Sequence, residues 1–174
     1  ALPADFPLPV LVVQHMPAGF TAALAERLNR LSPLQVKEAA GGEAVHPGGV
    51  WIAPGGRHLE ARREGGAFRL ALTDAPPENS CRPSADVLFR SAGEAWGGRV
   101  LALVLTGMGS DGLAGARRVK ALGGAVLAQD ERSSVVWGMP GAVVQAGLAN
   151  AVVGLEAMPE ALVSLATGVP PCPR

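Results

Sequence analysis

Short apolar runs alternate along the chain with segments in which apolar residues recur every third or fourth position. A continuous apolar run is typical of a strand buried on both faces of a sheet, and the wider spacing is typical of a helix with one buried face. The pattern predicts strands at 10–14, 34–38, 50–53, 100–105 and 125–128, with an edge strand at 149–153. It predicts helices at 22–31, 85–96, 113–122, 141–146 and 159–165.

Between residues 59 and 72 the spacing changes to an alternation of apolar and polar residues, and Gly65 and Gly66 divide this stretch in two. Such a pattern predicts a β-hairpin. Strands that alternate with helices, each strand too apolar to face water, predict a doubly wound, mostly parallel sheet with helices on both faces. The expected fold class is therefore α/β with an inserted β-hairpin.

Several polar residues at the element ends have local interpretations. Thr21 is predicted to cap the helix at 22–31, and Ser84 and Asp86 are predicted to begin the helix at 85–96. His46 and His58 stand beside Pro-Gly and Gly-Gly turns, which predicts solvated loop positions. The basic residues Arg117, Arg118 and Lys120 are predicted to form the outer face of their helix.

Length and composition limit the class of protein. The 174 residues suit one domain, and 48% apolar with 17% charged residues is typical of a globular chain. Fifteen basic and fifteen acidic residues give a net charge of zero, which argues against a nucleic-acid partner. No apolar run approaches the roughly 18 residues that a membrane span needs, so we expect no membrane insertion.

The two cysteines and the chain ends lead to further expectations. Cys81 and Cys172 suggest neither a disulfide framework nor a metal motif, so reduced thiols in the cytoplasm are expected. No signal sequence is recognisable, and the chain begins without Met, which suggests an incomplete N-terminus. We predict a catalytic domain at 1–167 and a disordered, Pro-rich tail at 168–174.

Candidate chemistry follows two of the apolar runs, because ligands in such folds bind beyond the carboxyl ends of the strands. His15 comes directly after the first strand, and Asp111 lies in the Gly-rich turn after the run at 100–105. A histidine oriented by a carboxylate is two thirds of a nucleophilic triad. The competing interpretations are a structural histidine and a carboxylate that only caps the next helix.

The same Gly-rich turn allows a different function. It begins at Gly107 and ends at Gly112, and reads G-x-G-x-x-G after a strand and before a helix, with Asp130 eighteen residues later. This arrangement is typical of a dinucleotide-binding domain. However, Asp111 would put a carboxylate where a pyrophosphate needs backbone amides, and Met108 would crowd the approach of the phosphate.

Five ordered blocks resemble the catalytic domain of the chemotactic protein-glutamate methylesterases, the CheB type. They are V-Q-H-M-P-A-G-F-T from Val13, I-A-P-G from Ile52 together with His58-Leu59, R-P-S-A-D-V-L-F from Arg82, L-T-G-M-G-S-D-G from Leu105 and G-M-P from Gly138. The resemblance implies a three-layer α/β/α sandwich that needs no cofactor. It also implies hydrolysis of glutamyl methyl esters on chemoreceptors, with release of methanol, and deamidation of receptor glutamines in many members.

Matched by motif, the resemblance makes His15 the base and Asp111 the orienting carboxylate, with Gln14, Met108 and Gly109 lining the site. One part of the pattern is missing: no serine of the chain stands in the G-x-S-x-G context of a nucleophile elbow. We therefore expect a methylesterase domain without its first strand and its nucleophile, and without the receiver domain that many members carry upstream. The expected partner is the cytoplasmic region of a methylated chemoreceptor. The alternative is a catalytically inactive receptor-binding or regulatory module of the same fold.

Overall fold

The computed structural model describes residues 2–168, and parallel strands joined through helices form its framework. The strands are β1 (Val10–Val12), β2 (Gln35–Glu38), β3 (Gly49–Ile52), β4 (His58–Glu64), β5 (Ala67–Thr73), β6 (Leu101–Val104), β7 (Ala125–Gln129) and β8 (Ala151–Val153). The helices are α1 (Phe20–Leu31), α2 (Ala85–Trp96), α3 (Leu113–Ala121), α4 (Met139–Gln145) and α5 (Met158–Thr167). The predicted order of strands and helices is confirmed. The tail predicted from 168 onwards lies outside the described residues, except for Gly168, which ends α5 in a left-handed conformation.

The parallel strands form two separate three-stranded sheets. One has the order β1-β3-β2 and the other the order β6-β7-β8, with every neighbouring pair parallel. Strands β4 and β5 form the predicted antiparallel hairpin, with Gly65 and Gly66 in its turn. Among residues 2–168, β1 and β6 are each paired on one edge only.

An apolar groove lies where the unpaired edges of β1 and β6 approach each other. One wall comes from the start of β1 and includes Leu8 and Leu11, and another comes from β6 and includes Leu101. The apolar face of α2, including Phe89 and Trp96, also lines the groove. This opening explains why β1 is only half-buried and three residues long, although the sequence predicts a longer strand buried on both faces.

Alternation along β1 distributes its side chains between two cores, as the pleat of a strand requires. Val10 and Val12 pack with residues of α1 and α5 around Ile52, whereas Leu11 and Val13 pack against the hairpin and α2 around Trp51. A third core surrounds β6 and β7 and includes residues of α3 and α4. Helices therefore cover both faces of the strands, which agrees with a three-layer α/β/α fold.

The predicted Thr21 cap is wrong. Helix α1 begins after Gly19, which has a φ of 87°, and no side chain caps it. Thr21 is instead fully buried, where its hydroxyl donates to Glu38 and accepts from the Gly55 amide. The hydroxyl satisfies buried groups at the carboxyl ends of neighbouring strands, and this function overrides its preference for a helix start.

Candidate active site

The loop that carries His15 is held against the turn after β3. A Cβ added to Gly55 would lie 2.4–2.6 Å from backbone atoms of Met16, Pro17 and Ala18. Only glycine permits this close approach. The Gly55 amide also donates to the Thr21 hydroxyl at 3.0 Å, which joins the far end of the same loop to the same turn. The Ala53-Pro54-Gly55 turn therefore determines where His15 lies.

Asp111 lies in the Gly-rich turn between β6 and α3, and its side chain is buried. Its Oδ2 accepts from His15 Nε2 at 2.7 Å, across 96 positions of sequence. The other four donors all belong to the start of α2 or to the loop before it. They are the Ala85 amide (2.7 Å to Oδ2), the Ser84 hydroxyl (2.6 Å to Oδ1), the Asp86 amide (3.1 Å to Oδ1) and the Asn79 side-chain amide (3.3 Å to Oδ1).

Asp111 thus does not cap the helix that follows it. It accepts from the free amides at the N-terminus of α2, where a negative charge is also stabilised by the helix dipole. Burial by itself raises the pKa of Asp111, but the hydrogen bonds from His15, Ser84, Ala85 and Asp86 outweigh it and hold the pKa well below its ordinary value. The carboxylate is therefore ionised and accepts hydrogen bonds only.

The charge on Asp111 determines the tautomer of His15. Because the carboxylate only accepts, His15 Nε2 carries the hydrogen that joins the two residues. In the neutral imidazole, Nδ1 is then the nitrogen with a free lone pair. The His15 side chain is 30% exposed and that of Asp111 2% exposed, so the pair combines a buried carboxylate with an accessible imidazole.

His58 supports this arrangement from behind, and its predicted solvated position is wrong. The side chain is fully buried at the first position of β4. Its Nδ1 accepts from the Ser84 amide at 3.2 Å, and its Nε2 therefore donates to the Pro76 carbonyl at 3.1 Å. His58 thereby positions the residue whose hydroxyl contacts Asp111. His46 is exposed, as predicted.

Asp86 is a second buried carboxylate next to the pair. Its Oδ1 accepts from the Gly115 amide at 2.6 Å, and its Oδ2 accepts from the Asn79 side-chain amide at 2.8 Å. A Cβ at Gly115 would lie 3.0 Å from the Asp86 backbone, so α2 and α3 approach closely here. The sequence analysis predicted Ser84 and Asp86 at a helix start but missed their hydrogen bonds to Asp111. The signal in the sequence for these contacts was the R-P-S-A-D block.

The three predicted lining residues lie on the two loops that carry the pair. Gln14 is exposed and directly precedes His15, and Met108 is 85% exposed. Gly109 has a φ of 84°, a conformation that favours glycine. The segment at 136–139 holds this turn, because Gly107 donates to the Val136 carbonyl at 3.0 Å and accepts from the Met139 amide at 2.8 Å. Their contact with a substrate stays a prediction.

Cys81 lies beside the pair, although sequence reasoning gave it no function. Its thiol sulfur, a ring nitrogen of His15 and a carboxylate oxygen of Asp111 all lie within 4.8 Å of one another. Two backbone hydrogen bonds between Glu78 and Cys81 close the turn that presents the thiol. Burial, followed by the nearby charge of Asp111, raises the pKa of Cys81.

The geometry disfavours the two competing uses of these residues. Ser84 is fully buried and its hydroxyl donates to Asp111, so it orients the carboxylate and cannot also act as a nucleophile beside His15. In the turn that resembles a dinucleotide motif, the Gly107 amide already donates to a carbonyl, and Asp130 accepts from the hydroxyl and amide of Ser133. A pyrophosphate and a ribose would have to displace these partners.

The chain is similar to known proteins over almost its whole length. The family model described as CheB methylesterase matches residues 1–162. A Rhodopseudomonas palustris protein named protein-glutamate methylesterase/protein-glutamine glutaminase of group 2 operon is 52% identical over 92% of this chain. A Nocardioides relative, named protein-glutamate methylesterase/protein-glutamine glutaminase, is 58% identical over 91% of it. The chain spans only 41% and 44% of the lengths of these two relatives.

A solved structure has the same fold. It is the CheB methylesterase catalytic domain of Thermotoga maritima, with a TM-score of 0.92 and 45% sequence identity. The match covers 94% of this chain and 87% of that one. Among the described residues, no helix is both long and apolar enough to cross a membrane.

Proposed function

Because the chain belongs to the CheB methylesterase family, we propose that it forms most of the catalytic domain of a protein-glutamate methylesterase that also deamidates glutamine side chains. The proposed substrate is the methylated cytoplasmic region of a chemoreceptor, and the reaction takes place in the cytoplasm. The observation that carries the proposal is the hydrogen bond between His15 and Asp111 at the carboxyl ends of two strands.

The proposed reaction is acyl transfer through a serine. His15 Nδ1 accepts the hydroxyl proton as the serine oxygen attacks the glutamyl carbonyl, and the ionised Asp111 stabilises the imidazolium that forms. His15 then gives this proton to the leaving group, which departs as methanol from an ester or as ammonia from an amide. Water attacks the acyl-serine by the same proton path and releases the glutamate.

The nucleophile of this reaction comes, in our proposal, from a strand that precedes this sequence in the full-length protein. The groove between β1 and β6 has apolar walls and an unpaired strand edge on each side, which suits one further parallel strand. A strand there would end between the loops of His15 and Asp111, since β1 and β6 end at those loops. A Gly-flanked serine at its carboxyl end would therefore lie beside His15.

Substitution of His15 tests this function. In the full-length protein, His15→Ala should lower the rate of methanol release from a methylated receptor fragment by about a thousandfold or more. His46→Ala is the matched control, because His46 is exposed and lies outside the pair of His15 and Asp111. This variant should retain the full rate. Release of ammonia from the corresponding glutamine substrate should fall in parallel with methanol release.

The alternative is a catalytically inactive receptor-binding or regulatory module of the same fold. It predicts that the full-length protein binds the receptor fragment but releases no methanol. A His15→Ala variant with an undiminished rate of hydrolysis would contradict the esterase mechanism directly.

A further inference from the structure

We propose that His15, Cys81 and Asp111 form a binding site for a thiophilic divalent cation such as Zn²⁺, and that binding switches the esterase off. The inference that the cation inhibits rests on the proposed function, whereas the binding itself does not. Neither the thiol nor the carboxylate alone would indicate such a site. The indication is that three different ligand atoms, a nitrogen, a sulfur and an oxygen, lie within 4.8 Å of one another.

The donor set selects the class of cation. Imidazole, thiolate and carboxylate together are typical zinc ligands, and three protein ligands leave a fourth position for water. Hard cations such as Mg²⁺ prefer sites made of oxygen alone and should bind poorly here. The negative charge of the buried Asp111 carboxylate also favours a cation.

The supporting contacts resemble those around structural and catalytic metal sites, where ligands are oriented by further hydrogen bonds. The carboxylate of Asp111 is oriented by Ser84 and by the amides of Ala85 and Asp86. The backbone of Cys81 is fixed by its two hydrogen bonds with Glu78. His15 and Cys81 are both partly accessible, so a cation can reach the site from solvent.

Binding requires a balanced change of protons. The Cys81 thiol loses its proton to solvent, and the thiolate binds the cation. The proton on His15 Nε2 moves to Nδ1, so that the Nε2 lone pair is free to bind. This places a hydrogen on Nδ1, the nitrogen that the proposed reaction uses as its base. The cation therefore inhibits by turning the base into a donor, and it also replaces the hydrogen bond between His15 and Asp111.

Cobalt is the probe for binding, because a bond between Co²⁺ and a thiolate produces a charge-transfer absorption band. Titration of the full-length protein with CoCl₂ should produce this band at one Co²⁺ per chain, and Zn²⁺ should abolish it by competition. Cys81→Ala and Cys81→Ser should lose the band. Cys172→Ser is the matched control for the thiol and His46→Ala for the imidazole, and both should retain it.

A second measurement needs no variant. Zn²⁺ should slow the alkylation of Cys81 by iodoacetamide in the unsubstituted protein, whereas Mg²⁺ at the same concentration should not. Mass spectrometry of the peptides distinguishes Cys81 from Cys172. Equal alkylation of Cys81 with and without Zn²⁺, or a cobalt band that survives in both Cys81 variants, would overturn the proposal.

Inhibition is measured as the ratio of methanol release with and without Zn²⁺. This ratio should fall at least about tenfold in the unsubstituted protein and stay near one in Cys81→Ala. If the protein releases no methanol at all, the proposed function fails while the cobalt and alkylation results still decide the cation site. If methanol is released and Zn²⁺ neither binds nor inhibits, the cation site fails alone.

Discussion

At the scale of single residues, Asp111 has more partners than the orientation of one imidazole requires. One hydrogen bond from His15 would fix the ring, yet four further donors from α2 and its preceding loop converge on the same carboxylate. Hydrogen bonds to a charged group each contribute about 1.5–3 kcal/mol, and a buried carboxylate without them would be costly. Asp111 is therefore both the orienting group of His15 and a structural link between the two sheets.

We predict that Asp111→Asn separates these two roles poorly. An asparagine has one acceptor oxygen and one NH₂ group, so it cannot accept both from His15 and Ala85 at one position and from Ser84 and Asp86 at the other. We expect a loss of about 2–3 kcal/mol in the free energy of unfolding at pH 7. We also expect a fall of about 10³–10⁴-fold in the rate of ester hydrolysis, because the amide favours the wrong tautomer of His15.

The difference in unfolding free energy between the unsubstituted protein and Asp111→Asn should depend on pH. The pKa of Asp111 is lower in the folded protein than in the unfolded chain, so its contribution is complete above the unfolded value of about 3.9. It is lost as the pH falls further through the folded value. Urea unfolding of the unsubstituted protein and of Asp111→Asn between pH 7 and pH 3 should therefore give unfolding free energies that begin to converge only below about pH 4. A difference that is already absent at pH 6 would contradict this.

Sequence alone indicates His15 and Asp111 because each directly follows an apolar run, and strand ends meet at one edge of a parallel sheet. The same reasoning cannot find His58, which resembles a turn residue until the hairpin places it behind Ser84. Nor does it link Asp86 to the site, because that link depends on which helix end packs beside Asp111. These contacts depend on tertiary packing, which local patterns do not encode.

At the scale of elements, the turn after β3 is expected to control the reaction without contacting the substrate. Gly55→Ala should place a methyl group against the backbone at 16–18 and displace the loop that carries His15. A shift of about 1 Å in a reacting group can cost about a hundredfold in rate. We therefore expect a comparable loss of methanol release in this variant, together with a lower melting temperature.

Gly93→Ala is the matched control for this prediction. Gly93 lies within α2, where an added Cβ would meet the flexible end of Leu122 at 3.1 Å and where alanine favours the helix. This variant should keep both its rate and its melting temperature. If Gly55→Ala behaves like Gly93→Ala, the turn does not position His15.

The elements themselves were predicted to within a few residues, because each strand and helix has its own apolar period. The main error is β1, predicted at 10–14 and observed as Val10–Val12. Its apolar run predicts a strand buried on both faces, and its side chains do pack into two cores. They are only half-buried, because among residues 2–168 only β3 pairs with β1. The apolar run of β1 therefore predicts more complete burial than residues 2–168 give this strand.

At the scale of the whole molecule, the two parallel sheets meet through side chains and loops, and within residues 2–168 no strand of one pairs with a strand of the other. The hydrogen bonds of Asp111 join them at one end, and the apolar groove lies between the start of β6 and the first part of β1 with the segment before it. Unpaired strand edges and exposed apolar walls favour association with another strand. This arrangement agrees with our proposal that His15 and Asp111 act on a nucleophile that the N-terminal flanking sequence supplies.

We expect a strand of the N-terminal flanking sequence to occupy this groove. We expect the chain of residues 1–174 by itself to release no methanol, to bind a hydrophobic dye and to self-associate. The protein that includes its N-terminal flanking sequence should release methanol and stay monodisperse. That flank should contain a Gly-flanked serine roughly 20–30 residues before His15, since a strand end, a helix and a loop must fit between them.

A pair of lysine substitutions tests whether the flank really fills the groove. Leu8 lines the groove and is 39% exposed, so Leu8→Lys should change the stability of the isolated chain little. In the flanked protein the same residue is expected to be covered by the added strand, and Leu8→Lys should cost about 1.5–3 kcal/mol of unfolding free energy. Leu31→Lys is the control, because Leu31 is 72% exposed on α1 and should matter little in either form. Equal small losses for Leu8→Lys in both forms would mean that the flanking sequence packs elsewhere, and that the serine must reach His15 by another route.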